Sequence, residues 1–329
     1  MKAIVFERYG PPEVLHLREV EKPVPKDNEA CIKVFVSTVA APDWRVRQAN
    51  PWITRLFMGF IRPKRRILGY EFAGIIDAVG KDVKKFHKND RVFGMNLTSM
   101  MVHFGTYAEY LCMPEDRFIL LKPDNVEFEQ AAVVPSGGIT ALLGLRAGNL
   151  KAGQRVLING ASGSIGTYAI QLARYFGAEV TGVCSTTNLE LVRSLGAGQV
   201  IDYTVADFTR SGQHWDFIFD TVGTRSFAEC RNSLTQNGIY LSSGPGNFIQ
   251  NLVYVLWTSM VGNKRAKIMT DKAEIEHLVF LRDLLESGEL TPVIDKIYPM
   301  ENIVNAHRYV DKGHKKGNVV ITIAGPDPA

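Results

Sequence analysis

The chain has 329 residues, of which 46% are hydrophobic, enough for two domains that each bury a core. A net charge of +4 creates no strong field for nucleic acid, and neither a zinc-finger spacing nor a long basic run is present. The longest mainly apolar run, Leu252–Val261, is about ten residues against the ~20 that span a bilayer, so no transmembrane segment is expected. Cys31, Cys112, Cys184 and Cys230 stand singly, as reduced thiols do in a cytoplasmic protein, and the first residues read as a strand with no secretory leader.

In chain order, Met1–Phe6, Leu15–Glu19 and Ala30–Ser37 read as short strands separated by Gly10-Pro11-Pro12 and Pro23-Val24-Pro25. This is the pattern of a small antiparallel barrel. A helical turn starts at Asp43, a plausible N-cap. Ile67–Val79 is expected to hold a strand pair, with Gly69 and Gly74 as points of close backbone approach. Arg62, Lys64, Arg65 and Arg66 form a basic cluster. It reads first as a solvated loop and second as a contact for anionic lipid or cofactor phosphate.

From Gln130 the pattern changes to helices alternating with strands. Helices are expected over Ile139–Gly148, Leu189–Leu195, Ser226–Leu234 and Ala273–Ser287. Strands are expected over Glu179–Val183, Val200–Ile201, Asp216–Asp220 and Gly238–Leu241. Alternation at this spacing predicts a doubly wound parallel sheet. The tail Val293–Ile323 returns to strands.

The stretch Arg155–Gly166 organises the second region. Five mostly apolar residues form a predicted buried strand, then Gly160, Gly163 and Gly166 follow at spacing three. Ile165, Ala169, Leu172, Ala173 and Phe176 continue at helical spacing. Strand, glycine turn and helix together make a dinucleotide fingerprint. Gly160 permits the tight turn, Gly163 lets the backbone approach a pyrophosphate, and Gly166 lets the helix pack on its strand. The helix start offers N–H groups and a positive dipole end, with the Ser162 and Ser164 hydroxyls beside them.

Several motifs in fixed order carry a resemblance. They are Lys2-Ala3-Ile4-Val5, Leu68-Gly69-Tyr70-Glu71-Phe72-Ala73-Gly74, Asp90-Arg91-Val92-Phe93-Gly94, Gly105-Thr106-Tyr107-Ala108-Glu109-Tyr110, Asn159–Gly166, Leu195-Gly196-Ala197 and Asp220-Thr221-Val222-Gly223. Over essentially its whole length the chain resembles the zinc-independent, zeta-crystallin-like quinone oxidoreductases of the medium-chain dehydrogenase/reductase superfamily. The resemblance implies an α/β architecture with a GroES-like β-rich catalytic domain from 1–125 and 272–329. A Rossmann domain from 126–271 lies between them in sequence, and the family's active site sits in the cleft. It also implies a homodimer formed through an edge of the Rossmann sheet.

Zinc-dependent relatives place a Cys where this chain reads Ser37-Thr38-Val39-Ala40-Ala41-Pro42-Asp43, and a His where it has Tyr70. Soft or imidazole ligands converging on one point are missing, so no metal is expected. Without a Lewis acid, a conjugated acceptor is easier to reduce than a simple carbonyl. That favours a quinone or an α,β-unsaturated carbonyl as the small-molecule electron acceptor. The place for an NAD-selecting carboxylate, about 20 residues past the glycines, holds Ser185 followed by Thr186, Thr187 and Asn188. NADPH is therefore expected, although the loop has no Arg or Lys, and the turn also reads as an ordinary polar turn capped by Thr187 or Asn188.

By resemblance, Tyr203 walls the adenosine site. Thr140, at the expected start of its helix, lies near the nicotinamide, as do Thr221, Val222, Ser242 and Ser243, while Asn318 stands where relatives have a Lys. Tyr70 reads either as a packed aromatic or as a proton donor, and Asp43 as a helix cap or a substrate contact. The Leu252–Val261 segment reads as core packing, a lid, a dimer surface or a membrane-touching patch. The expected activity is NADPH-dependent hydride transfer; the other reading is a non-catalytic NADPH-binding sensor or scaffold.

Overall fold

In the parallel sheet, strands covered on both faces read as nearly unbroken apolar runs. Val156, Leu157 and Ile158 in one strand and Ile218 and Phe219 in another are fully buried. The structure, a computed structural model, describes residues 1–52, 54–97, 105–244 and 248–324. The chain divides into two units. One comprises Met1–Ser136, Glu274–Glu286 and Ile294–Ala329; the other comprises Gly137–Ala273 and Ser287–Val293.

The second unit holds six parallel strands, side by side in the order Gln199–Asp202, Glu179–Cys184, Arg155–Asn159, Trp215–Asp220, Leu234–Ser242 and Arg265–Lys267. Counted along the chain, that order is third, second, first, fourth, fifth, sixth. The direction of winding reverses between Arg155–Asn159 and Trp215–Asp220, where Asn159 is level with Asp220. A ligand site lies beyond the carboxyl ends of the strands at such a switch. Leu157, Trp215, Ile218, Phe227 and Tyr240 share one buried cluster with the half-buried Tyr254 and Val255. The Trp215 indole N–H donates to Thr181 Oγ1 at 3.1 Å. Gly144 and Gly148 leave room for the rings of Phe219 and Phe217, which an added Cβ would approach to 2.3 and 2.5 Å.

The first unit is mainly antiparallel. Its sheet runs Ile294–Pro299, Asn318–Thr322, Glu29–Thr38, Glu71–Val79, Arg91–Met95 and Phe118–Leu121, with Tyr110–Pro114 also on Glu29–Thr38. The tail strand Asn318–Thr322 pairs with Glu29–Thr38, so the C-terminal tail joins the N-terminal sheet. Gly74 is a point of close approach, since a Cβ there would lie 2.1 Å from the Lys33 carbonyl oxygen. Arg47 on helix Ala41–Gln48 is fully buried and meets Asp311 at 2.6 Å.

The expected strand pair over Ile67–Val79 is one strand, Glu71–Val79, entered through Gly69 at φ +81°. Asp43 is not the N-cap of its helix: Ala40 is, and Asp43 reaches back to the Ala40 N–H at 2.9 Å. The expected Ser226–Leu234 helix shrinks to Phe227–Cys230 and a single tight turn. Strand Leu234–Ser242 starts well before the expected Gly238 because pairing with Trp215–Asp220 overrides local propensity. The helix expected at Ile139 begins at Val134, which puts Thr140 beyond its first turn. The Leu252–Val261 segment forms helix Phe248–Met260 and is not simply core. Tyr254 packs on Phe227, whereas Leu256, Trp257 and Met260 are exposed.

Candidate active site and cofactor-binding loop

Strand Arg155–Asn159 delivers the chain into the glycine loop at the sheet's carboxyl edge. Gly160 adopts φ +80°, and the N–H groups of Gly160 and Ala161 both donate to the Val183 carbonyl, at 3.1 and 2.9 Å. A Cβ on Gly166 would lie 2.2 Å from the Gly160 carbonyl oxygen. Helix Ser164–Tyr175 then starts with Gly163 as its cap, a residue with no side chain to bond the first turn. The first N–H groups of a helix have no carbonyl partner within it. This helix start thus suits an anion. A Cβ on Gly163 would meet nothing closer than the Gly160 carbonyl oxygen, at 3.4 Å, which leaves an open approach.

The adjacent turn is tied to the loop by one amide. Asn188 Nδ2 donates to Ser162 Oγ at 3.0 Å and to Ser185 Oγ at 3.1 Å. Its buried Oδ1 has no hydrogen-bond partner. Ser185 Oγ lies 3.4 Å from Thr187 Oγ1. Asp202, at the end of the neighbouring strand, accepts from Thr186 Oγ1 at 2.6 Å and from Thr204 Oγ1 at 2.7 Å, which holds its carboxyl below the usual range. Tyr203 follows it, more than half exposed.

Thr221 and Val222 begin the turn after Trp215–Asp220. The Thr221 N–H donates to Asn159 O, and the Val222 N–H to Asp220 Oδ1. Val222 lies over Gly160, where an added Cβ would come within 2.2 Å of its methyl. Ser242 ends strand Leu234–Ser242, and the buried Ser243 Oγ next to it has no partner. Gly160–Gly166, Ser185, Thr187, Tyr203, Thr221, Val222, Ser242 and Ser243 therefore gather at one edge of one sheet. An uncapped helix start, a glycine cradle and the orphaned Ser243 and Asn188 oxygens suit a dinucleotide. Thr140 lies on helix Val134–Ala147, one turn past Gly137, where an added Cβ would come within 2.6 Å of Ser164 Oγ. Tyr70, Asp43 and Asn318 belong to the first unit.

In that first unit, Tyr70 and Glu71 open strand Glu71–Val79. The Tyr70 hydroxyl donates to Ser136 Oγ. Glu71 accepts from Thr38 Oγ1 at 2.6 Å and from the Ser136 N–H at 2.7 Å. Asp43 Oδ1 accepts from the Gly69 N–H at 2.8 Å. Both of its oxygens are thus engaged by backbone, and the residue is fully buried.

Burial raises Asp43 to about 7 against its hydrogen bonds. It raises Glu71 to about 8, with Asp43 adding to the shift and Lys315 opposing it. Tyr70 is pushed well above its ordinary value by burial and then by Glu71, so it stays protonated. Lys315 is lowered to about 8 by loss of water, with Glu71 opposing. Asn318, buried, starts the strand just beyond it.

Glu71, Thr38, Ser136 and Lys315 were not singled out from sequence. A lone carboxylate in the apolar run Leu68–Ala73 was the available signal for Glu71. Nothing local marks Ser136. From sequence Asn188 reads as a donor or cap, while in the structure its amide joins two loops. Among the described residues, no three His, Cys, Asp or Glu side chains are grouped to hold a metal.

The family Zinc-binding dehydrogenase matches residues 195–321, and the family Alcohol dehydrogenase GroES-like domain matches 26–124. The chain is 32% identical to a quinone oxidoreductase of Sus scrofa, over 96% of this chain and 95% of that one. It is 30% identical to an NADPH-dependent alkenal/one oxidoreductase, chloroplastic, of Arabidopsis thaliana, over 98% of this chain and 79% of that one. The solved quinone oxidoreductase from Coxiella burnetii superposes with a TM-score of 0.87 at 30% identity, covering 98% of this chain and 99% of that one.

The raised carboxyls make stability depend on pH. At neutral pH the fold keeps Glu71 protonated where the unfolded chain has released the proton, so stability falls as pH rises from the ordinary carboxylate range toward about 8. The slope is at most ~1.4 kcal/mol per pH unit for each such proton. A Gln at 71 mimics the neutral acid. Urea midpoints of Glu71→Gln measured from about pH 5 to about pH 8 are expected to fall less steeply than those of the parent.

Proposed function

Because the chain belongs to the quinone oxidoreductase branch of the medium-chain dehydrogenase/reductase superfamily, we propose that it moves a hydride from NADPH to a quinone or an α,β-unsaturated carbonyl. The observation that carries this reading is the Asn159–Gly166 loop, with its uncapped helix start at the switch point of the parallel sheet. NADPH, when bound, supplies the hydride.

In this reading the first-turn N–H groups and the Ser162 hydroxyl hold the pyrophosphate. Ser185 and Thr187 donate to the 2′-phosphate. Asp202, at the end of the neighbouring strand, is already engaged by Thr186 and Thr204. Tyr203 covers the adenosine, and Thr140, Thr221, Val222, Ser242 and Ser243 line the rest of the cofactor.

Reducing an enone leaves an enolate oxygen that needs a hydrogen-bond donor or a proton. Tyr70 supports that role with a hydroxyl that burial keeps protonated and that reaches an enolate by turning from Ser136 Oγ. Asp43 acts at one remove: it holds the Gly69 backbone and so positions Tyr70, without touching the acceptor. The reading keeps a homodimer through a sheet edge, where Arg265–Lys267 pairs within the chain with Leu234–Ser242. It also keeps a cytoplasmic address. No helix among the described residues is long and apolar enough to cross a membrane.

Three measurements test the reading. NADPH oxidation followed at 340 nm with a panel of quinones, enones and aldehydes should be fast with the first two and unchanged by EDTA. Cofactor binding without turnover on any acceptor would instead favour the sensor reading. Ser185→Asp should raise the KM for NADPH about tenfold, the effect of a repulsion of ~1.4 kcal/mol, and leave the KM for NADH level or lower. Tyr70→Phe should lower kcat with an enone at least ~10-fold while cofactor KM holds, and unchanged turnover removes Tyr70 from the mechanism.

A further inference from the structure

From Trp44 to Tyr70 the chain carries seven Lys or Arg residues and no Asp or Glu. The protein's net charge is only +4, so the remainder of the chain is net negative. The positive charge is thus concentrated in one segment. Part of it is structural: Arg47 is buried against Asp311, and Arg55 lies over the Tyr9 ring. Arg62, Lys64, Arg65 and Arg66 are all exposed. Arg66 has Glu7 at 3.6 Å, a pair in open solvent that neutralises little. Arg62, Lys64 and Arg65 have no acidic partner within 4 Å among the described residues.

The same segment exposes large apolar side chains. Trp52 is 58% exposed, Leu56 55%, Phe60 60% and Ile61 81%. They are neighbours, not scattered singles: the Trp52 and Phe60 rings meet edge to face at 6.2 Å. The loop that presents them is held. The Gly59 carbonyl accepts from Tyr9 Oη at 2.7 Å, the Lys64 N–H donates to Met58 O at 2.8 Å, and Arg66 O accepts from the Phe6 N–H at 2.8 Å. Gly59 at φ +116° turns the chain so that Phe60 and Ile61 form the tip and the cations follow directly.

We propose that this surface docks the protein on an anionic lipid membrane. Phe60 and Ile61 enter the headgroup boundary, Trp52 lies at its level, and Arg62, Lys64 and Arg65 meet the phosphates. Aromatic and aliphatic residues beside unpaired cations are the composition that binds an anionic interface. The exposed face of helix Phe248–Met260 is apolar too, but the cations near it are engaged: Lys264 by the Arg231 carbonyl and Lys267 by that of Ala147. The lipid surface therefore fits the Trp52–Arg66 segment.

The test is co-sedimentation of the full chain with vesicles of phosphatidylcholine alone and of phosphatidylcholine with about one-third phosphatidylglycerol. Binding should occur with the mixed vesicles only and weaken in high salt. Arg62→Glu with Lys64→Glu and Arg65→Glu should lower the bound fraction at least ~10-fold, as three charges near such a surface demand. Ile61→Ser, at the most exposed position, should lower it severalfold. Both variants should keep the parent's circular dichroism and its turnover with a water-soluble quinone. No sedimentation with the mixed vesicles overturns the proposal, as does equal binding by parent and both variants. So does loss of binding in the charge variant alone, which means attraction of ions without insertion. A change from dimer to monomer in Ile61→Ser without vesicles assigns the surface to a second copy and likewise overturns it. Vesicle binding is read without turnover, so its failure leaves the hydride-transfer reading untouched.

Discussion

The Gly160 carbonyl oxygen occupies the space where residue 166 would carry a Cβ, 2.2 Å away. Everything at the carboxyl edge of the parallel sheet follows from that approach. It allows helix Ser164–Tyr175 to begin directly against the strand that precedes it. The helix start then faces outward at the place where the winding of the sheet reverses. Any side chain at 166 would push helix and strand apart and carry the first-turn N–H groups away from the edge. The switch point creates the space for a ligand, and the missing Cβ brings donors to it.

The first unit solves a different problem. It buries two acids: Asp43, bonded to the residue before Tyr70, and Glu71, the residue after it. Both are satisfied by hydrogen bonds, yet neither has an ion-pair partner in contact among the described residues, and burial raises both. Buried acids without a cation cost stability unless they hold protons. Their persistence here is tied to geometry. Asp43 fixes the Gly69 backbone, and Glu71 joins the strand at Thr38 to the Ser136 amide. Tyr70 is the residue caught between these two anchors.

The parallel sheet was legible in the sequence because its strands are short apolar runs punctuated by glycine and separated by helical periodicity. The glycine loop was legible for the same reason: strand, spacing and helix are all local. Asp43 shows where local reading stops. Its place before a helical run suggests a cap, but Pro42 sits in the first turn and moves the cap back to Ala40. Asp43 then serves as the third residue of the helix and as a tie to Gly69, a pairing set by tertiary structure. Ser136 and Lys315 were invisible because their partners lie far away in sequence. Helix Phe248–Met260 misled in another way: its apolar content suggested burial, while just one side of it packs on the Phe227 and Tyr240 cluster.

The Asn188 amide has a consequence for entropy. A serine hydroxyl is a rotor that can point its hydrogen anywhere its torsion allows. Asn188 donates to the oxygens of both Ser162 and Ser185. Each oxygen thereby has an accepting site filled, and each hydrogen is turned away from the amide. Two rotors on separate loops thus lose the orientation that faces the amide before any anion arrives. A ligand whose phosphates take the two hydrogens meets serines with less freedom left to lose, and part of the ordering that a flexible pair would undergo on binding has been completed during folding.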